Sequence, residues 1–142
     1  MIGNVFEFHQ RFSLPLGSEN QMDDEAERFR LQFLNEELEE LEEALAEKDV
    51  VKAFDALLDL VYVAQGTALF LGIDPAQWDA GMRAVHNANM AKVRAGSAQD
   101  SKRGTALDVV KSEGWEGPES RLQEILDWDL PKRQGELNLW GK

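Results

Sequence analysis

The amino-acid sequence predicts an all-α protein, an antiparallel four-helix bundle with a short N-terminal helix and a C-terminal loop segment. Apolar residues recur at steps of three and four through most of residues 5–93, which is the spacing of an α-helix. Short links containing Gly, Pro or Asp separate these stretches, and short links favour antiparallel neighbouring helices. With 142 residues, 43% of them hydrophobic, the chain predicts one compact domain over residues 1–130 and a loosely attached tail at 131–142.

The first two helices are predicted from amphipathic spacing and from their end signals. Residues 5–12 form a short amphipathic helix, which Pro15 and Gly17 end. Asp23 or Asp24 can cap a long second helix that continues to about Lys48, with acidic residues in its first turn. Five leucines of this helix alternate steps of three and four and predict a packing seam: Leu31, Leu34, Leu38, Leu41 and Leu45.

The third predicted helix covers residues 51–71, is apolar on nearly every side and stops at Gly72, a pattern typical of a central, buried helix. A fourth helix begins at Asp74-Pro75, where proline suits the first turn, and continues to about Val93. The rest of the chain is predicted as a mobile loop (94–105), a short strand (108–110) and a last short helix (118–128).

Charge and composition exclude several classes of function. The chain has 27 acidic and 15 basic residues, a formal net charge of −12, so it lacks the basic clusters that grip nucleic-acid polymers. The absence of cysteine excludes disulfides, thiolate metal sites and cysteine nucleophiles. Residues 1–10 do not resemble a signal peptide, and the apolar stretch 57–71 is interrupted and too short to span a bilayer. We expect a cytoplasmic protein without membrane contact.

Two glutamates of the second helix, Glu37 and Glu40, stand apart from its other acidic residues. At about 100° per residue, four glutamates fall opposite the leucine seam, where water is expected: Glu36, Glu39, Glu43 and Glu47. Glu37 and Glu40 share a different flank with Phe33 and Ala44. An apolar neighbourhood around two glutamates indicates a second, partly buried face.

The third helix carries a matching stripe, in which Asp55, Asp59, Tyr62 and Gly66 recur at steps of four, three and four. Two aspartates on a buried helix are costly unless positive charge meets them, and no Lys or Arg occurs between residues 31 and 47 or 53 and 82. Hard divalent ions such as Mg²⁺ or Mn²⁺ satisfy a four-carboxylate cluster directly. From these residues alone, the alternative is a solvated acidic face that binds a protein partner.

The run Glu36-Glu-Leu-Glu-Glu40 followed by Asp55-Ala-Leu-Leu-Asp59 resembles the signature of the all-α NTP pyrophosphatase superfamily, EExxE and then ExxD on the next helix. That superfamily includes MazG-like enzymes, dimeric dUTPases and phosphoribosyl-ATP pyrophosphohydrolases. Glu36, Glu37 and Glu40 match the first part and Asp59 matches the final Asp. One position departs from the signature: Ala56 stands where the second-helix Glu is expected, and Asp55, one residue earlier, is a replacement ligand on the same helix face.

Further segments resemble a MazG-like subgroup of bacteria and phages, so that the likeness covers residues 4–120. These segments are Phe8-His9 through Pro15, residues 59–63 with 66–68, His86-Asn-Ala-Asn89 with Lys92, and Lys111 with Gly114-Trp115. The resemblance implies a MazG-like bundle that hydrolyses a nucleoside triphosphate to the monophosphate and pyrophosphate. It also implies a homodimer or homotetramer, and the host cytoplasm as location if the protein is phage-encoded.

The resemblance assigns roles to residues of this sequence. Glu37, Glu40, Asp55 and Asp59 would bind two or three Mg²⁺ or Mn²⁺ ions, and Glu36 or Glu37 would orient or deprotonate the attacking water. Nucleotide-binding candidates are Asn89 and Lys92 for phosphate or ribose, Lys111 and Trp115 on a lid, and His9 and Phe12 beside the base. Ordinary structural roles remain alternatives, namely a solvated helix end for Lys92, a core anchor for Trp115 and a packed helix face for His9 and Phe12.

The substrate base is left open by the sequence. Resemblance to phage-type members favours a purine deoxynucleotide such as dGTP or dATP, with dUTP and phosphoribosyl-ATP as alternatives. A non-catalytic acidic helical module that binds a protein is the alternative outside enzymes.

Overall fold

A computed structural model describes residues 2–17, 22–129, 131, 132 and 135 of the chain. In these residues the protein forms five α-helices and one two-stranded sheet, which confirms the all-α prediction. The helices are α1 (Ile2–Arg11), α2 (Asp24–Glu47), α3 (Val50–Phe70), α4 (Pro75–Met90) and α5 (Glu119–Leu126). The chain divides into two compact units, a first unit of residues 1–75 and a second unit of residues 76–142.

The first unit is built on an antiparallel hairpin of α2 and α3. Asp23 caps α2, as predicted, because its carboxylate accepts a hydrogen bond from the amide of Ala26 at 2.8 Å. The turn between the helices needs only two residues: Lys48 adopts the left-handed conformation (φ 57°) and Asp49 caps α3. Such a short turn holds the second half of α2 against the first half of α3, where the packed side chains are small.

Helix α1 and the segment after it pack against α3. Ile2, Val5 and His9 are the buried residues of α1. The chain then returns to the end of α3, where the amide of Gly17 donates a hydrogen bond to the carbonyl of Leu69 at 2.9 Å. A β-carbon on Gly17 would overlap the carbonyl oxygen of Phe70, so this close approach requires glycine.

The prediction that α3 is buried on all sides is wrong for its N-terminal half. Val50, Val51 and Phe54 are 79%, 79% and 63% exposed, whereas the residues from Val63 to Phe70 are largely buried. Within the first unit α2 is the neighbour of the N-terminal half, so only the side facing α2 is covered, at Ala53 and Ala56.

The leucine seam of α2 is likewise not a packed core within this chain. Leu31, Leu38 and Leu45 are each about half exposed, while the buried residues of α2 are Arg30 and Ala44. Leu34 and Leu41, one turn from Arg30 and Ala44, are half-buried. Only this side of the leucine seam therefore packs in the hairpin, and the side formed by the other three leucines is exposed.

By length and composition alone, α3 is apolar enough to cross a membrane. In the structure, however, 44% of its most apolar window is buried inside the protein, and the packed core helix of a globular protein passes the same test.

In the second unit, α4 and α5 pack together. The buried amide of Gln77 donates hydrogen bonds to the carbonyls of Ile125 (3.0 Å) and Leu126 (3.3 Å) at the end of α5. Ala80, Ile125 and Trp128 form the apolar core beside this contact. The prediction of a last short helix is confirmed, with bounds two residues shorter at the C-terminal end than its predicted limit of residue 128.

The connection between α4 and α5 carries more structure than a mobile loop. α4 ends at Met90 rather than Val93, because Val93–Arg94 (β1) pairs antiparallel with Val109–Val110 (β2), within the predicted strand region. Between the strands, Arg103 and Ser101 donate hydrogen bonds to the carboxylate of Asp108 at 2.7–3.0 Å. Residues 131–142, predicted as a loose tail, lie mostly outside the described residues.

Candidate active site

Where the C-terminal half of α2 meets the N-terminal half of α3, the hairpin forms a cavity of about 270 Å³, the acidic cavity. Its lining residues are Glu40, Glu43, Ala44, Glu47, Lys52 and Asp55. Four carboxylates face one ammonium group, a formal balance of −3, and Lys52 already pairs with Glu47 at 2.7 Å. Glu40 and Asp55, predicted from different helices to share a site, thus lie around one cavity.

Glu37, one turn before Glu40 on α2, extends this acidic region along the hairpin. Desolvation by burial raises its pKa above the ordinary value, and repulsion from four carboxylates raises it further: Asp59, Glu40, Glu36 and Asp55. These five residues are called the carboxylate cluster. All the predicted metal ligands therefore belong to one electrostatically interacting group.

The burial of this cluster differs from the prediction. Asp55 and Asp59 are exposed, as is Glu40, and only Glu37 is partly buried. Because Asp55 and Asp59 are exposed, they pay no burial penalty that a cation would have to offset. The repulsion that acts on Glu37 is the remaining physical argument for positive charge.

The chemistry of the donors fits a hard divalent ion, since every member of the cluster offers carboxylate oxygen. Among the described residues, no three His, Asp or Glu side chains are close enough to share one ion in their present positions. Glu40, Asp55 and Asp59 are exposed, so their side chains have room to change rotamer around an ion.

Glu43 and Glu47 are residues of this region that the sequence interpretation missed. They are exposed, as expected, but they also line the acidic cavity beside Glu40 and Asp55. Helical periodicity correctly placed Glu43 and Glu47 on a face of α2 away from its leucines. It did not show that the start of α3 lies against this part of the helix. The spacing of Glu40, Glu43 and Glu47 around Ala44 was the available signal.

At the other end of the hairpin, α1, α2 and α3 enclose a second cavity of about 290 Å³, the aromatic pocket. Its ring-bearing side chains are Phe8, His9, Phe29, Phe33, Tyr62 and Phe70. Phe8 and Tyr62 meet edge to face with ring centres 5.7 Å apart, and His9 meets Phe70 in the same way at 5.6 Å. Flat, apolar walls of this kind suit a planar heterocycle.

His9 and Phe12, the two residues predicted to lie beside a base, differ from each other in burial. His9 is buried and lines the aromatic pocket, and its Nδ1 donates a hydrogen bond to the carbonyl of Pro15 at 3.0 Å. The structural alternative for His9 therefore also holds, because this bond closes the turn after α1. Phe12 is 56% exposed and contacts the Phe8 ring at 4.7 Å, outside the set of described side chains that line the pocket.

The aromatic pocket and the carboxylate cluster lie on one continuous flank of the hairpin. On α2 this flank runs from Phe33 in the pocket through Glu37 to Glu40 in the acidic cavity. On α3 the predicted stripe runs the opposite way, with Gly66 and Tyr62 in the pocket, then Asp59 and Asp55 in the cluster. A ligand with a flat ring at one end and a polyphosphate at the other matches this order of surfaces.

In the second unit, the structure brings together three predicted nucleotide-binding residues. Lys92 Nζ lies 5.4 Å and Lys111 Nζ 4.6 Å from the centre of the Trp115 ring, within cation–π distance. Trp115 is also anchored, because its Nε1 donates a hydrogen bond to the carbonyl of Ala88 at 2.7 Å. Asn89 is exposed near the end of α4.

Comparison with known families adds one finding. A sequence model of a family described as phosphoribosyl-ATP pyrophosphohydrolase matches residues 5–89. The matched segment contains the carboxylate cluster, the ring-bearing residues of the aromatic pocket and Asn89, whereas Lys92, Lys111 and Trp115 lie beyond it. No curated protein sequence matches the chain at the level taken as significant.

Proposed function

The chain belongs to the phosphoribosyl-ATP pyrophosphohydrolase family of all-α NTP pyrophosphohydrolases, and on that premise we propose that it hydrolyses a purine deoxynucleoside triphosphate. The family indicates a nucleotide pyrophosphohydrolase. The substrates proposed are dGTP or dATP, and the products are the monophosphate and pyrophosphate. The observation that carries the proposal is the single flank of the α2–α3 hairpin, with its aromatic pocket at one end and its carboxylate cluster at the other.

A triphosphate beside five carboxylates requires positive charge between the two. We propose that Glu37, Glu40, Asp55 and Asp59 hold Mg²⁺ or Mn²⁺, two or three ions per site. When bound, such ions neutralise the polyphosphate and lower the pKa of a bound water. The chain's own part is to orient the reactants, with Glu36 or Glu37 as the group that directs the attacking water.

Positive side chains of the protein are also proposed to contact the nucleotide. Lys92 and Lys111 present two ammonium groups at one indole ring, an arrangement that suits phosphate oxygens. Asn89, one turn before Lys92, is proposed to donate to phosphate or ribose. Replacing Lys111 by Ala is expected to raise KM for the nucleotide while leaving the thermal stability nearly unchanged, since Lys111 is exposed.

We propose that two or more copies of the chain associate through the exposed apolar side of the hairpin. Four large apolar side chains around the α2–α3 turn are exposed, namely Leu45, Val50, Val51 and Phe54, and exposed apolar clusters are often sites of protein association. Phe54→Asp should reduce the mass measured by light scattering, while Leu107→Asp, at an exposed loop residue of the second unit, should not. A wild-type chain that is monomeric at all concentrations would remove this proposal.

Phosphoribosyl-ATP is the second candidate substrate, because the matching family carries that name. Like dGTP and dATP, it carries a purine and a triphosphate, so the same flank would bind it. The two candidates differ in the groups attached to the base and are separated by direct assay.

The test is pyrophosphate release from a panel of dGTP, dATP, dUTP and phosphoribosyl-ATP, each with Mg²⁺, with Mn²⁺ and with EDTA. Glu40→Gln and Asp59→Asn are expected to abolish turnover with helicity retained, whereas Glu39→Gln, outside the carboxylate cluster, should keep it. If no substrate is cleaved with any metal, the enzymatic proposal fails and the acidic protein-binding module becomes the better hypothesis.

A further inference from the structure

The aromatic pocket contains one cation whose position has no role in the proposed hydrolysis. Arg30, in the second turn of α2, is 5% exposed and reaches across to α3. Its Nε donates a hydrogen bond to the hydroxyl of Thr67 at 3.1 Å, and its Nη2 donates to the carbonyl of Val63 at 2.6 Å. The guanidinium is therefore held in one orientation by two bonds to the same helix.

Arg30 is buried, and it has no anionic partner in the part of the chain that the structure describes. Within the described part of the chain, no carboxylate lies at ion-pair distance from its guanidinium, and Glu27, one turn earlier, forms no such pair. Burying an unpaired cation is costly. The rings of Phe29, Phe33 and Phe70, 5.1–5.6 Å from its central carbon, compensate only in part. A buried, oriented and unpaired cation at a pocket wall is typical of a ligand-binding group.

Arg30 and His9 have hydrogen-bonding groups that the protein itself does not use. A guanidinium has five N–H donors, and the contacts to Thr67 and Val63 use two, which leaves three. His9 supplies an acceptor: the Pro15 carbonyl can only accept, so Nδ1 carries the proton and Nε2 of the neutral ring does not. Both groups flank Gly66, where a β-carbon would lie 2.9 Å from Arg30 Nη2 and 3.1 Å from His9 Nε2.

We propose that Arg30 and His9 read the purine edge of the substrate and select guanine. The edge of guanine presents N7 and O6 as acceptors, followed by N1–H as a donor, which matches an arginine fork beside an unprotonated imidazole nitrogen. Adenine has an amino donor at position 6 and an acceptor at N1. Its amino group would therefore face the N–H donors of Arg30, and its N1 would face the unprotonated Nε2 of His9. This inference rests on the proposed function and narrows its substrate from purine deoxynucleotides to dGTP.

The spacing along α2 agrees with this assignment. Arg30 and Glu37 are seven residues apart, about 10 Å along the helix axis at 1.5 Å per residue. A deoxynucleoside whose base lies at Arg30 thus extends towards Glu37, with its phosphates in the direction of Glu40 and the acidic cavity.

The first experiment compares kcat/KM for dGTP and dATP in the wild type, Arg30→Lys and the control Arg28→Lys, an exposed arginine of the same helix. The wild type is expected to prefer dGTP. Lysine keeps the charge but loses the planar fork, so Arg30→Lys should lower the ratio of kcat/KM for dGTP to kcat/KM for dATP about tenfold. The change is expected as a higher KM for dGTP, with kcat for dATP unchanged. Arg28→Lys should leave the ratio unchanged. A wild type that prefers dATP, or a ratio unaffected by Arg30→Lys, overturns the inference.

A second measurement covers the case in which Arg30→Lys does not fold. Gly66→Ala favours the helix intrinsically but places a methyl group between Arg30 and His9. It should weaken calorimetric binding of dGMP about tenfold relative to the wild type, with dAMP binding little changed. Failure of the proposed function is recognised separately. If no triphosphate is hydrolysed but the wild type binds dGMP more tightly than dAMP and Gly66→Ala removes that difference, guanine selection stands while the hydrolysis proposal fails. Equal binding of dGMP and dAMP rejects guanine selection.

Discussion

Glu37→Gln tests the electrostatics of the carboxylate cluster, because it removes one charge while keeping the shape of the side chain. Burial, and then repulsion by the neighbouring carboxylates, raises the pKa of Glu37 in the folded protein. Between the ordinary pKa and the raised one, the folded state binds more protons than the unfolded state, so stability falls as the pH rises through that window. At neutral pH the ionised Glu37 therefore destabilises the metal-free protein, and glutamine should stabilise it.

The part of the effect that comes from charge repulsion follows from the number of like-charge contacts. A like-charge pair one helical turn apart costs about 0.2–0.5 kcal/mol, and Glu37–Glu40 is one such pair. Repulsion across the hairpin from Asp59 and Asp55 adds a similar amount, for a total of about 0.5–1 kcal/mol. For a chain of this length that free energy corresponds to a rise in Tm of about 1–4 °C.

The assay is thermal unfolding followed by circular dichroism, in EDTA and then with increasing Mg²⁺. Glu39→Gln is the matched control, since it removes the same charge from an exposed position outside the cluster. Mg²⁺ at 100 times its Kd should stabilise the wild type by about 2.7 kcal/mol, and Glu37→Gln by clearly less. In EDTA the gain from Glu37→Gln should shrink as the pH is lowered from the raised pKa of Glu37 to the ordinary glutamate pKa, and it should be absent below that value. Equal Tm changes for both variants in EDTA, or undiminished stabilisation of Glu37→Gln by Mg²⁺, would refute the reasoning.

The other predictions concern packing in each unit. Gly17→Ala should lower the free energy of unfolding by about 1–3 kcal/mol, because the new methyl group overlaps the carbonyl oxygen of Phe70. Gly3→Ala, a helical site with open space, should instead raise it by up to about 1 kcal/mol; chemical denaturation measures both. Trp115→Phe should cost about 0.5–1.5 kcal/mol through the lost bond to the Ala88 carbonyl, and a Tm unchanged from the wild type would contradict that anchor.

Local signals in the sequence predicted the helices and one functional stripe well. The cap at Asp23, the end of α3 before Gly72 and the strand near Val109 are confirmed, since capping, turn and β-branching preferences act over a few residues. The stripe from Asp55 to Gly66 faces the predicted flank of α2, because both faces follow from helical periodicity within their own segments.

The burial of side chains was harder to predict from the sequence, and Arg30 is a residue whose burial no local signal indicates. An arginine in the second turn of an amphipathic helix is typical of a solvated surface. Its burial depends on α3, where Gly66 lacks the side chain that would otherwise fill the space beside the guanidinium. The predictions were wrong at Phe54 and Leu38, which the apolar pattern placed in a core and the structure leaves exposed.

The sequence by itself determined that this chain is helical, where α2 and α3 lie along it, and which carboxylates share a face. The tertiary structure decided that Glu43 and Glu47 join Glu40 and Asp55 around one cavity, and that the same flank continues into an aromatic pocket with a buried arginine. The physical reason is that helical periodicity states which residues share a face. Which neighbour covers that face is decided by contacts between residues distant in sequence.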